Sequence, residues 1–236
     1  MRCLLMGGQA CILYGAAEFS RDADLAVLAD PANLVRLRSA LDNLEARQIA
    51  VPSLSLEYLV RGHAVHFRCF HPDAAGLRID IMSVMRGVAP FEELWLRRTT
   101  LDLDPGFACD VLSLPDLVTA KKTQRDKDWP MLRRLLEAHY FANREAASPA
   151  KVDFWLKELR TPDLLVEVAQ RYRDSAGLML EARPLLSRAI AGDVRGVENL
   201  LRSEEDEERR SDREYWKPLS IELELLRHAA KPNIPD

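Results

Sequence analysis

No apolar run in this chain reaches the roughly 18 residues needed to span a bilayer. The first residues also lack the charged segment, long apolar core and cleavage site of a secretory signal. No CxxC pair occurs. The four cysteines, Cys3, Cys11, Cys69 and Cys109, are scattered, which argues against structural zinc and for free thiols in a reducing cytoplasm. There is no basic excess: the net charge is -4, so nucleic-acid binding would need a local patch. Internal repeats and low-complexity linkers are also missing. What remains is ordinary for a globular protein, with 47% hydrophobic and 30% charged residues in a chain of 236. That length suits one large domain or two small ones.

The most informative stretch is Gly7 to Val27. An apolar strand, Cys3 to Met6, runs into Gly7-Gly8, and a short helix follows. A second strand then carries Asp22 and Asp24. Side chains at i and i+2 on a strand point to one face, so the two carboxylates repel unless a cation lies between them. That spacing suits one or two Mg²⁺ ions, which take oxygen ligands and substrate phosphates. The first strand begins almost at Met1, so either it sits near a sheet edge or the natural start lies further upstream.

Asp30-Pro31 starts a helix whose Leu34, Leu37, Leu41 and Leu44 recur at helical spacing, to about Ala46. Residues 51–60 are ambiguous, with Pro52 against a central strand. Residues 64–70 and 77–82 read as a hairpin around the turn residues 71–76, with Asp80 in its second strand. A short helix over 90–98 and strands over 99–104 and 107–112 follow. From Ser113 onward the pattern is helical. Ser148-Pro149 and Thr161-Pro162 each set a capping hydroxyl before a helix-starting proline. The expected class is α+β: a mixed sheet with flanking helices, then a helical half. The expected domains are 1–112 and 113–236.

Asp22, Asp24 and Asp80 can meet if their strands are adjacent. Two metals held by three carboxylates would activate an attacking hydroxyl and stabilise a leaving pyrophosphate. The bare backbone of Gly7-Gly8 allows close approach of phosphate oxygens, and Lys121 could neutralise a triphosphate. Arg125, Lys127 and Asp128 read either as part of that site or as surface ion pairs of a helix. His63 and His66 read as structural, and Trp95, Trp129 and Trp155 as packing residues. Residues 203–213 read as a solvated helix.

Taken together, Gly7-Gly8, Asp22-Ala23-Asp24 and the later Asp80 resemble the nucleotidyltransferase superfamily of the DNA polymerase β type. A narrower resemblance is to the abortive-infection toxin-like nucleotidyltransferases of bacteria. It is carried by Met6 to Ala10, Tyr14-Gly15, Ser20 to Leu25, Arg78 to Ile81, Asp116 to Lys121 and Arg125-Asp126-Lys127-Asp128. It covers residues 3–132. The chain departs from many superfamily members in having Gly8 where they have serine, and in lacking a helix before the first strand. The resemblance implies an Mg²⁺-dependent enzyme moving an NMP from an NTP to an acceptor hydroxyl, with two ions. Asp22, Asp24 and Asp80 would bind metal and act in catalysis. Gly7, Gly8, Ser20, Arg21, Lys121, Arg125, Lys127 and Asp128 would hold the nucleotide. The acceptor in such toxins is RNA, typically the tRNA end, and an antitoxin protein restrains them. The alternatives are a non-catalytic nucleotide- or partner-binding module, or an antibiotic-type small-molecule nucleotidyltransferase.

Overall fold

The computed structural model describes residues 1–17 and 19–230. The chain is α+β, with a seven-stranded mixed sheet and a helical C-terminal half. It divides into two compact units.

The first unit contains the sheet. Strand β1 (Cys3–Met6) leads into helix α1 (Gly7–Leu13), and β2 (Asp22–Val27) returns antiparallel to β1. Helix α2 (Pro31–Asn43) starts where expected. The Asp30 side chain accepts a hydrogen bond from the Asn33 amide at 2.9 Å, Pro31 presets the first turn, and Leu34, Leu37 and Leu41 are buried. The two-residue β3 (Arg47–Gln48) and helix α3 (Leu56–Arg61) come next. Strands β4 (Val65–Arg68) and β5 (Arg78–Met82) form the anticipated hairpin. Helix α4 (Phe91–Leu96), strands β6 (Thr99–Asp104) and β7 (Phe107–Val111), and helix α5 (Leu114–Ala120) complete the run.

The strand order is β3-β4-β5-β2-β1-β7-β6. Strand β1 is therefore interior, not near an edge. Its start is tied down by Asn33, whose side-chain Nδ2 donates to the Arg2 and Leu28 carbonyls at 2.9 Å each. The Asn33 Oδ1 in turn accepts from the Arg2 amide at 2.7 Å. One face of the sheet is apolar. Val27, Val65, Phe67, Ile79 and Ile81 pack there against Leu34, Leu37 and Leu41 of α2 and Leu59 of α3. Each such burial stabilises by about 1.5–3 kcal/mol, which fixes the register and forces the alternate residues onto the other face.

The expected boundary after residue 112 falls instead after α5. That helix buries Leu114, Leu117 and Val118. Its Asp116 accepts two hydrogen bonds from Arg97, both at 2.7 Å, tying it to the strand-bearing unit.

The second unit comprises Tyr14–Ala16 and Lys121–Asp212. It holds helices α6 (Asp128–Asn143), α7 (Pro149–Glu158), α8 (Pro162–Arg171), α9 (Arg173–Leu178) and α10 (Leu186–Ile190), and the first part of α11 (Val194–Ala229). Residues 213–230 group with the first unit, another departure from a simple two-part division. Trp129 and Trp155 are buried, as expected of packing residues, and Trp155 Nε1 donates to His139 Nδ1 at 2.9 Å. Ser148 caps α7 through the Lys151 amide, but Thr161 does not cap α8: its hydroxyl donates to Glu137 instead. The stretch 203–213 lies within α11. None of the four cysteines is in a disulfide.

Candidate functional site

Strands β2 and β5 run parallel, and Asp24 is registered directly with Asp80. Asp22 lies two residues before Asp24, so all three carboxylates stand on one face of the sheet. This is the face opposite the apolar core. The same row continues to Met6 on β1 and His66 on β4.

Gly7 and Gly8 shape the backbone beside this row. Gly7 has φ +68°, a conformation that favours glycine. A β-carbon there would lie 1.8 Å from the Asp24 Oδ2, so the carboxylate occupies the space that any side chain would need. At Gly8 a β-carbon would meet the Ser20 Oγ at 2.5 Å. Ser20 is thereby set next to the glycine pair. Its hydroxyl donates to the Asp22 carbonyl at 3.2 Å, and its own carbonyl accepts from Gln9 Nε2 at 3.0 Å. Arg21 is exposed, with its guanidinium 5.9 Å from the Phe19 ring centre.

Asp80 is held by a clamp. Arg78 donates to both of its oxygens, at 2.7 and 3.0 Å, and His66 Nδ1 lies 2.8 Å from Oδ1. A nitrogen that close to a carboxylate oxygen must carry the proton. Arg78 Nη2, 3.1 Å from the same His66 nitrogen, therefore makes a contact there and not a second hydrogen bond. Burial pushes the Asp80 carboxyl up, but His66 and Arg78 outweigh it and hold it below the usual carboxylate value. Arg78 is raised first by its hydrogen bond to Asp80, against burial, and then by the charges of Asp80, Asp22 and Asp24. Its guanidinium is bound to Asp80 and lies within the field of Asp22 and Asp24.

This donor set fits a magnesium ion in part. Asp22 and Asp24 offer hard oxygen donors on one face beside a bare glycine backbone, and they would hold the ion. Asp80 does not join them as arranged, because Arg78 takes both of its oxygens. Among the described residues no three His, Cys, Asp or Glu side chains are grouped so as to hold a metal. His66, read from the sequence as merely structural, is the residue that reasoning missed. The signal was its place in the hairpin, since a register pairing 66 with 80 sets it beside the carboxylate.

Lys121, Arg125 and Asp128 come together in the second unit. Lys121 Nζ lies 3.2 Å from Asp128 Oδ1, while Arg125 Nε and the Thr123 hydroxyl donate to Oδ2 at 2.7 and 2.6 Å. Asp128 and Lys121 are 1% and 6% exposed, so this is a buried cluster and not a surface ion pair. Burial raises the Asp128 carboxyl, yet Lys121, Thr123 and Arg125 together keep it low. Lys127 is exposed.

His63 is also engaged, its Nε2 being 2.9 Å from a Glu222 oxygen that belongs to the same unit. No described helix is long and apolar enough to cross a membrane. Neither a protein-family model nor a curated protein matches this chain.

Proposed function

We propose that this protein is an Mg²⁺-dependent nucleotidyltransferase that moves an NMP from an NTP to an acceptor hydroxyl. The acceptor is RNA, with the tRNA end the first candidate, in a cytoplasmic toxin-antitoxin or phage-defence setting. The reading rests on one juxtaposition: Asp22, Asp24 and Asp80 share a sheet face beside the glycine pair.

When bound, Mg²⁺ supplies positive charge at the attacking and leaving oxygens. Asp22 and Asp24 would hold it, and Asp24 is kept in place by its seat against Gly7. The glycine backbone leaves room for the phosphates. Asp80 positions Arg78, which adds a fixed guanidinium on the carboxylate face where negative charge develops on the phosphate. The low pKa of Asp80 makes it a poor base, so its part is electrostatic.

A second reading draws on the same clamp. A third carboxylate neutralised by the protein's own arginine suits a non-catalytic nucleotide- or partner-binding module. Incubation of the full chain with each labelled NTP, Mg²⁺ and total RNA separates the two, with Asp24→Asn as the control. Label on RNA that Asp24→Asn abolishes supports the transferase. Label on protein alone removes the RNA acceptor. Aminoglycosides replace RNA in a parallel reaction, and label there alone assigns a small-molecule acceptor. No label in any arm, with NTP binding retained by calorimetry, favours the module.

A further inference from the structure

One row of residues crosses four strands on the carboxylate face. Arg47, Arg68, Arg78 and Asp22 are successive register partners on β3, β4, β5 and β2. Registered residues share a face, so three arginines stand side by side, about 4.8 Å apart from strand to strand. Like charges placed directly opposite destabilise a sheet. Arg78 is neutralised by Asp80. Arg47 and Arg68 are exposed, and among the described residues neither has an ion pair. The sheet therefore keeps an uncompensated pair of guanidinium groups in register.

Phe70 extends this strip. It follows Arg68 by two residues, and the intervening Cys69 is in the apolar core, so Phe70 faces the same way as Arg68. Phe70 is 48% exposed, and the Arg47 guanidinium lies 4.9 Å from its ring centre. Unpaired arginines call for phosphates or carboxylates. An exposed ring beside them calls for a flat partner to stack on. A chain that offers both in alternation is a single-stranded nucleic acid.

We propose that Arg47, Arg68 and Phe70 form a docking strip for a single-stranded nucleic acid. The two guanidinium groups sit on neighbouring phosphates and a base stacks on Phe70. A duplex keeps its bases stacked on each other and has none to give Phe70, and an acidic peptide uses the arginines without the ring. The inference goes beyond the transfer reaction and holds whether or not the carboxylates are catalytic, because it is read by binding alone.

Fluorescence anisotropy of the full chain with labelled twelve-nucleotide RNA, the matching DNA, their duplexes and polyglutamate provides the test. Single strands are expected to bind more tightly than duplexes or polyglutamate, and the preference between RNA and DNA identifies the source. Arg47→Glu with Arg68→Glu is expected to weaken single-strand binding on the order of a hundredfold, and to lower the salt slope by about 0.7 for each phosphate no longer neutralised. Phe70→Ala is expected to weaken it roughly tenfold or more. Arg68→Lys, which keeps the charge, retains most of it. Circular dichroism and melting of each variant confirm that it is folded. The proposal fails if wild type does not bind single strands, if duplex or polyglutamate binds as well as they do, or if the folded double variant binds as wild type does.

Discussion

The Asp24 carboxylate rests against the bare α-carbon of Gly7, in space that a single methyl group would claim. Gly7→Ala must therefore both displace Asp24 and hold alanine in a left-handed conformation, which alone costs about 1–2 kcal/mol. A total loss of roughly 3 kcal/mol is expected in urea unfolding. In an Asp24→Ala background the same substitution should cost only the backbone part. Equal costs in both backgrounds would mean that the contact carries no energy.

If Asp22 and Asp24 hold a divalent cation as proposed, Arg78 competes with it for Asp80, whose two oxygens it occupies. Arg78→Gln should lower stability without metal by about 1–2 kcal/mol, since it removes the charge-assisted hydrogen bonds to Asp80. It should also enlarge the rise in melting temperature that millimolar Mg²⁺ produces, because Asp80 becomes available as a ligand. A smaller Mg²⁺ effect in the variant than in wild type would contradict this competition.

Asp80 and Asp128 both titrate below their ordinary value. A depressed carboxyl stabilises the fold above its unfolded pKa, near 3.9. That stability fades as pH falls through about 4 toward the folded value. Urea midpoints measured from pH 6 to pH 2.5 should fall steeply below about pH 4. Asp80→Asn and Asp128→Asn should each flatten that fall. An unchanged profile in both variants would show that other groups govern the acid limb.

Lys121 separates a structural from a substrate-binding role. Removing it leaves Asp128 buried with Arg125 and Thr123 as its remaining partners among the described residues, and breaking a buried pair costs about 3 kcal/mol or more. Lys121→Ala should accordingly lower the melting temperature by several degrees. If it raises the KM for NTP while melting is unchanged, the side chain serves the nucleotide and not the cluster.

The sheet was legible wherever one face is apolar. Alternation over Leu77 to Met82 and the leucine spacing of α2 located those elements to within a few residues. Strand β3 was not legible, because two exposed residues carry no period; its pairing with β4 exists only in three dimensions. The carboxylate row could be read as a possibility from i, i+2 spacing, and His66 from the hairpin register, but the row's neutralisation by Arg78 could not. Arg78 stands two residues before Asp80, yet an arginine on a strand points to water as readily as to a neighbour. The burial of Asp128 was hidden for the same reason, since charge patterning does not report depth. Thr161 shows a local rule overruled: a hydroxyl before proline reads as a cap, and Glu137 took it instead.

The parallel pairing of Leu5 with Val111 has a consequence for the order of events in folding. Strand β1 is the earliest of the sheet to leave the ribosome, and it cannot complete its pairing until about a hundred further residues have followed. Closing so long a loop is slow. Until β7 arrives, one edge of β1 is an open template for other strands. A chain ending before Phe107 should therefore associate through that edge, visible as concentration-dependent growth in light scattering, whereas the full chain covers it.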